Sequence, residues 1–136
     1  MTYSDLQADE EEFHSSYRIF ISAVEMLAGT ADEQCQFMGD CNVAWELKDD
    51  VTAGKFLIGR GYLSNSQEAW VVALIGALSI ADTQILPSGN GRQVNLQAME
   101  SACWQPLQFL AAEVLKQLAL FTNENAKYLQ LPPNVA

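Results

Sequence analysis

Residues 10–28 read EEEFHSSYRIFISAVEMLA, and within them Phe13, Tyr17, Phe20, Val24 and Leu27 step by 4, 3, 4 and 3. Steps of three and four return a side chain to the same face of a 3.6-residue helix, so this stretch predicts an amphipathic helix from about Glu10 to Ala28. Asp9 stands where an N-cap belongs, the three glutamates lie at the positive end of the helix dipole, and Gly29 is a natural stop. Immediately afterwards, Thr30 and Glu33 have the spacing of a capping box. They open a second expected helix through about Lys48, with Met38, Cys41 and Trp45 on one face and Gly39 weakening its middle.

Further along, Gly54, Gly59 and Gly61 surround Phe56, Leu57 and Ile58. A short helix ending at Gly59 and a short hairpin within residues 56–63 both satisfy that pattern, and the short helix is preferred. Ser64 and Asn65 supply caps for a helix over Ser66–Leu86, in which Val71, Leu74, Leu78 and Ile85 are joined by Trp70, Val72 and Ile75 around most of the circumference. Apolar residues on every side mark an expected central helix. Pro87 to Gly91 is a loop, and Val94–Trp104 reads as a short helix. Pro106 then imposes either a kink or a fresh helix with proline in its first turn, and Leu107, Leu110, Val114, Leu118 and Phe121 carry that helix to about Leu129. The expected fold is all-α: one domain over residues 1–136, a bundle of five to six helices with residues 1–9 and 131–136 fraying.

Composition narrows the function classes. The longest uncharged run, Ala69–Ala81, is 13 residues, short of the roughly 20 that span a bilayer, so no membrane partner is expected. The opening residues carry Asp5 and Asp9 rather than a basic and then apolar leader, which points to a cytoplasmic protein. Seven scattered bases against 17 acids provide no basic stripe for phosphates, so direct nucleic-acid binding is disfavoured.

Catalytic and cofactor chemistry finds little purchase. His14 is the only histidine, which leaves no pair for a metal and no relay. Glu10 and Glu11 share its helical face, and the reading is a surface imidazole whose protonated form those neighbours favour. Cys35, Cys41 and Cys103 are spaced for neither zinc nor a disulfide framework and read as buried thiols. The run from Gly54-Lys55 to Gly59-Arg60-Gly61 lacks the lysine-serine ending of a phosphate loop. Trp45, Trp70 and Trp104 fall in three expected helices and are assigned to the core. No metal, no cofactor and no catalytic residue is therefore assigned. A metal-independent enzyme with a carboxylate-lined pocket stands as the alternative from another class.

The charge distribution carries the functional expectation. Residues 1–50 hold twelve carboxylates against two bases, a net of −10, whereas the acids and bases of residues 51–136 cancel at five each. Lysine is almost absent among these acids, so the i,i+4 pairs of an ordinary soluble helix are missing. Unpaired charge of this density is costly unless it is used. The expectation is a non-catalytic protein that binds a basic partner protein through Glu10, Glu11, Asp32, Glu33, Asp40, Glu46, Asp49 and Asp50, with a homodimer also allowed. In these general properties the chain is similar to two sorts of small bacterial protein. One comprises immunity proteins and antitoxins that mask or inhibit a basic toxin; the other comprises acidic secretion chaperones that escort an effector or translocator.

Overall fold

The structure, a computed structural model, describes residues 3–30, 33–34, 43–80, 97, 100 and 104–130. Among these the backbone is helical throughout its regular elements, with no strand. Helix α1 runs Tyr3–Ala28, α2 Val43–Thr52, α3 Asn65–Ile80, α4 Gln105–Gln117 and α5 Ala119–Tyr128, and a 3-10 segment, Ala53–Leu57, continues directly from α2. The short helix expected to end at Gly59 thus holds in the form of that 3-10 segment, which ends at Leu57 and is followed by a turn, and the hairpin within residues 56–63 does not form.

Helix α1 is the axis of the fold. Its buried apolar residues are the predicted stripe, Phe13, Tyr17, Phe20, Val24 and Leu27, widened by Ile21 and Ala23. It packs against α4, α2, the 3-10 segment and α5, whereas α3 packs on α4, the 3-10 segment and α2. This reverses the expectation that the helix after Ser64 is central. Val71, Leu74 and Leu78 of α3 are buried, but Val72 is 53% and Ile80 85% exposed. An apolar circumference is buried only as far as neighbours exist to cover it, and among the described helices α3 lies on the outside. One contiguous core joins all five helices.

Helix ends follow local rules where the capping residues are free to act. Glu33 N–H donates to Thr30 Oγ1 at 3.1 Å while the Thr30 hydroxyl and N–H reach back to Glu33 Oε1 at 3.0 and 3.4 Å, which is the capping box read from the sequence. Ser64 forms a second one, since Gln67 N–H donates to Ser64 Oγ and Ser64 N–H donates to Gln67 Oε1. Pro106 sits in the first turn of α4, so a fresh helix starts there and no kink is made. The predicted single helix to Leu129 is interrupted at Leu118 (φ −96°, ψ 4°). Leu118 N–H still bonds Val114 O and Thr122 N–H bonds Leu118 O, both at 2.9 Å, so the buried stripe passes through unshifted.

Helix α1 begins at Tyr3 rather than near Glu10, so Asp9 is not its N-cap and residues 3–9, expected to fray, form its first turns. The reason is a long-range claim on the Asp9 carboxylate. Arg60 Nη2 donates to Asp9 Oδ1 at 2.7 Å and Tyr62 Oη donates to Asp9 Oδ2 at 2.8 Å. These two donors hold the Asp9 carboxyl below the usual carboxylate range. Arg60 lies between Gly59 (φ 76°) and Gly61 (φ 88°), left-handed conformations that glycine adopts without a Cβ penalty. Gly59 N–H is taken by the Glu68 carboxylate of α3. The glycine-rich segment therefore braces α1 against α3.

At the other end of α1, the Gln34 amide donates to the carbonyls of Met26, Leu27 and Gly29 at 3.1, 2.9 and 3.1 Å, and Gln108 Nε2 adds a bond to Gly29 O at 3.0 Å. Cys35, Cys41, Cys103, Met38, the Pro87–Gly91 loop, most of the expected Val94–Trp104 helix and residues 131–136 lie outside the described residues. Trp104 is fully buried, and its indole nitrogen has no hydrogen-bond partner among the described residues. Trp70 packs at the margin of the core.

Candidate functional site

Histidine chemistry is settled by packing. His14 is buried, 6% exposed, rather than on the surface. Its ring stacks on Tyr128 at 3.9 Å and lies parallel to Phe121 at 5.6 Å. The Asn125 amide nitrogen contacts His14 Nδ1 at 3.0 Å and donates to His14 O at 2.9 Å. A backbone carbonyl can only accept, which fixes the amide orientation, so Nδ1 must also accept and the proton of a neutral imidazole resides on Nε2. Burial lowers the His14 pKa, and Glu10 and Glu124 oppose that shift without overcoming it. The surface, proton-favouring imidazole expected from the sequence is replaced by a neutral core residue. Its acceptor nitrogen is occupied by the Asn125 amide.

This arrangement gives a stability prediction. Asn125→Ala leaves the buried Nδ1 of His14 without its donor and opens a small void, at a cost of about 2–3 kcal/mol. Thermal unfolding followed by circular dichroism should show Tm lowered by about 6–10 °C.

Across α1 from His14 the packing is open. Ile19, 67% exposed, and Phe56, 65% exposed, stand on either side of a shallow groove. It consists of three adjoining hollows of about 140, 350 and 330 Å³. The first lies between Ser16, Ile19 and Phe20 of α1 and Asp50, Ala53 and Phe56. The second shares Ile19 and Asp50 with it and adds Arg18, Ser22, Ala23, Met26 and Leu47. The third shares Ser22 and Met26 and ends on Glu25, Gly29 and Glu33. The groove therefore follows α1 for most of its second half; α2 and the 3-10 segment form the opposite wall of the first two hollows, and the third lies between α1 and Glu33.

The structure brings together only part of the predicted acidic set. Asp50 lines two hollows and Glu33 the third; burial, reinforced by Asp49, raises the Asp50 pKa. Asp49 is exposed and Glu46 half-buried on α2. Glu10 does not belong to this face. It precedes Ile19 by nine residues, which is half a revolution at 100° per residue, and its charge acts on His14, Tyr62 and Tyr128. Glu11 also acts on Tyr128 and lies away from the groove. Asp32 and Asp40 lie outside the described residues. Sequence reasoning missed Ile19, Met26, Phe56 and Glu25. An isoleucine standing alone on the polar side of the α1 stripe was the available signal.

Among the described residues, no three His, Cys, Asp or Glu side chains are grouped to hold a metal ion, and no helix is long and apolar enough to cross a membrane. Compared with known protein families, curated proteins and solved structures, the chain matches none.

Proposed function

We propose that this chain is a non-catalytic protein that binds a basic partner protein and masks or inhibits it. The observation that carries the reading is the coincidence of an apolar groove with the acidic end of the chain: three carboxylates, Glu25, Glu33 and Asp50, line the hollows against one base, Arg18. Acidic charge steers a basic protein to the surface, and desolvated apolar contacts slow its release. The burial of the only histidine in its neutral form supports a binding role over general acid–base work.

Capture from native lysate at low salt, followed by identification, supplies the partner. Its association rate with wild type and with the Glu11→Lys, Glu46→Lys, Asp49→Lys variant is then timed at low and physiological salt. The variant should associate about tenfold more slowly, and added salt should reproduce much of that loss because exposed charges are screened beyond about 8–10 Å. A partner without excess basic charge, or a rate indifferent to both changes, overturns the reading.

The same groove favours a second reading, an acidic secretion-type chaperone whose client supplies an apolar segment. Native mass separates the two, since the escort reading calls for a dimer that presents two grooves.

A further inference from the structure

We infer that the groove between α1, α2 and the 3-10 segment receives an amphipathic helix whose apolar stripe is flanked by lysine or arginine. This rests on the protein-binding reading above and names the segment of the partner that is bound. From Ser16 to Met26, ten residue steps at 1.5 Å make the two-walled part of the groove about 15 Å long, the length of nearly three turns of a second helix, and the hollow at Glu25 and Glu33 continues it along α1.

Both walls are helical, with their main-chain groups engaged within their own turns, and the described residues contain no strand. An extended peptide laid here would find no edge to pair with and would leave its own amides unsatisfied. A helix arrives with those bonds already made. The floor and lips are apolar, formed by Ile19, Ala23, Met26, Leu47, Ala53 and Phe56, and match a stripe at helical spacing. The rim is acidic, and Asp50 has already lost part of its hydration, so a lysine or arginine beside it regains favourable interaction. Charge also selects the occupant: a second copy of a chain with net charge −10 would bring like charge to this rim, whereas a basic helix neutralises it.

The test uses three synthetic peptides with the purified full chain: an 18-residue leucine-lysine peptide with leucines at i, i+3 and i+4 spacing, the same composition scrambled so that no stripe forms, and oligolysine of equal charge. Binding is read by fluorescence anisotropy at physiological salt. The striped peptide should bind at least tenfold more tightly than either control. Ile19→Asp should remove that advantage, and Phe56→Ser, a milder change at the opposite lip, should reduce it about fivefold or more. Leu120→Asp, at a residue 78% exposed on α5, should leave it intact. All three positions are exposed, so thermal melts should coincide with wild type.

Equal binding of striped and scrambled peptides would overturn the helix-in-groove inference while leaving the acidic-binding reading in place. A loss equal in Leu120→Asp would overturn the location. Failure of every basic peptide to bind would overturn both the inference and the proposed function.

Discussion

Gly54→Ala should destabilise the protein by about 2 kcal/mol, and Gly54→Val by about 3 kcal/mol or more. Gly54 is buried where the 3-10 segment meets α1, and a Cβ placed on it would lie 2.5 and 2.6 Å from two ring carbons of Phe20. That ring is 2% exposed and belongs to the core, so it cannot swing into solvent to make room. Opposing this, alanine lowers the entropy of the unfolded chain and so stabilises by about 0.4–1 kcal/mol. The steric term is larger and sets the sign.

Gly76 supplies the contrast, because it lies within α3 and a Cβ there meets nothing within 4 Å. Gly76→Ala should therefore stabilise by about 0.5–1 kcal/mol. Chemical denaturation of the two alanine variants should move the midpoint in opposite directions with unchanged slope. Two glycines of one chain, changed to the same residue, would then report a packed contact and an open helix face.

Acidification should destabilise the protein through His14 before the carboxylates contribute. The imidazole pKa is lowered in the fold from its ordinary 6.5. Below pH 6.5 the unfolded chain takes up a proton that the native state resists, and stability falls as pH drops toward the native pKa. Protonation would also set an Nδ1–H against the Asn125 amide hydrogens, exchanging a hydrogen bond for a repulsion. Glu10 and Glu124 moderate the effect, Asp50, whose pKa burial raises, contributes with the opposite sign at the acid end, and the lowered pKa of Asp9 places its own contribution below pH 3.8, outside this window. Unfolding free energy measured between pH 7.5 and 5 should decline in wild type. In His14→Phe, which keeps an aromatic ring between Tyr128 and Phe121, the slope over that interval should flatten. An unchanged slope would mean that the histidine is not the responsible group.

The parts of the fold legible in the sequence are those decided within one or two turns. The stripe from Phe13 to Leu27, the Thr30–Glu33 box, the Ser64 cap and the start at Pro106 depend on neighbours three or four residues away, and periodicity reports them. Three misreadings share a different cause. Asp9 has the residue type of a cap, but Arg60 and Tyr62, more than fifty residues later, take both its oxygens. His14 sits beside three glutamates, yet Asn125, separated by 111 residues, supplies the donor that lets it be buried. The α3 segment is apolar on most sides, and how much of it is covered depends on which helices reach it. The candidate site divides in the same way: the acidic excess is a count and was visible, whereas the groove is a relation between α1, α2 and the 3-10 segment. Ile19 and Phe56 become its lips only once those elements meet.

The amide caps at the end of α1 have a directional consequence. The helix has no basic residue in its last turn, and the carbonyls of Met26, Leu27 and Gly29 accept from the neutral amides of Gln34 and Gln108. These bonds are made without cancelling the partial negative charge, about half an electron, that a helix gathers at its C-terminus. That charge adds to Glu25 and Glu33 at the Gly29 end of the groove, while at the Ser16 end the corresponding charge of α2 and the 3-10 segment is offset by Lys55 in the segment's last turn. The potential along α1 is thus a gradient with a defined sense, and a positively charged chain lying beside it experiences the two orientations as unequal in energy.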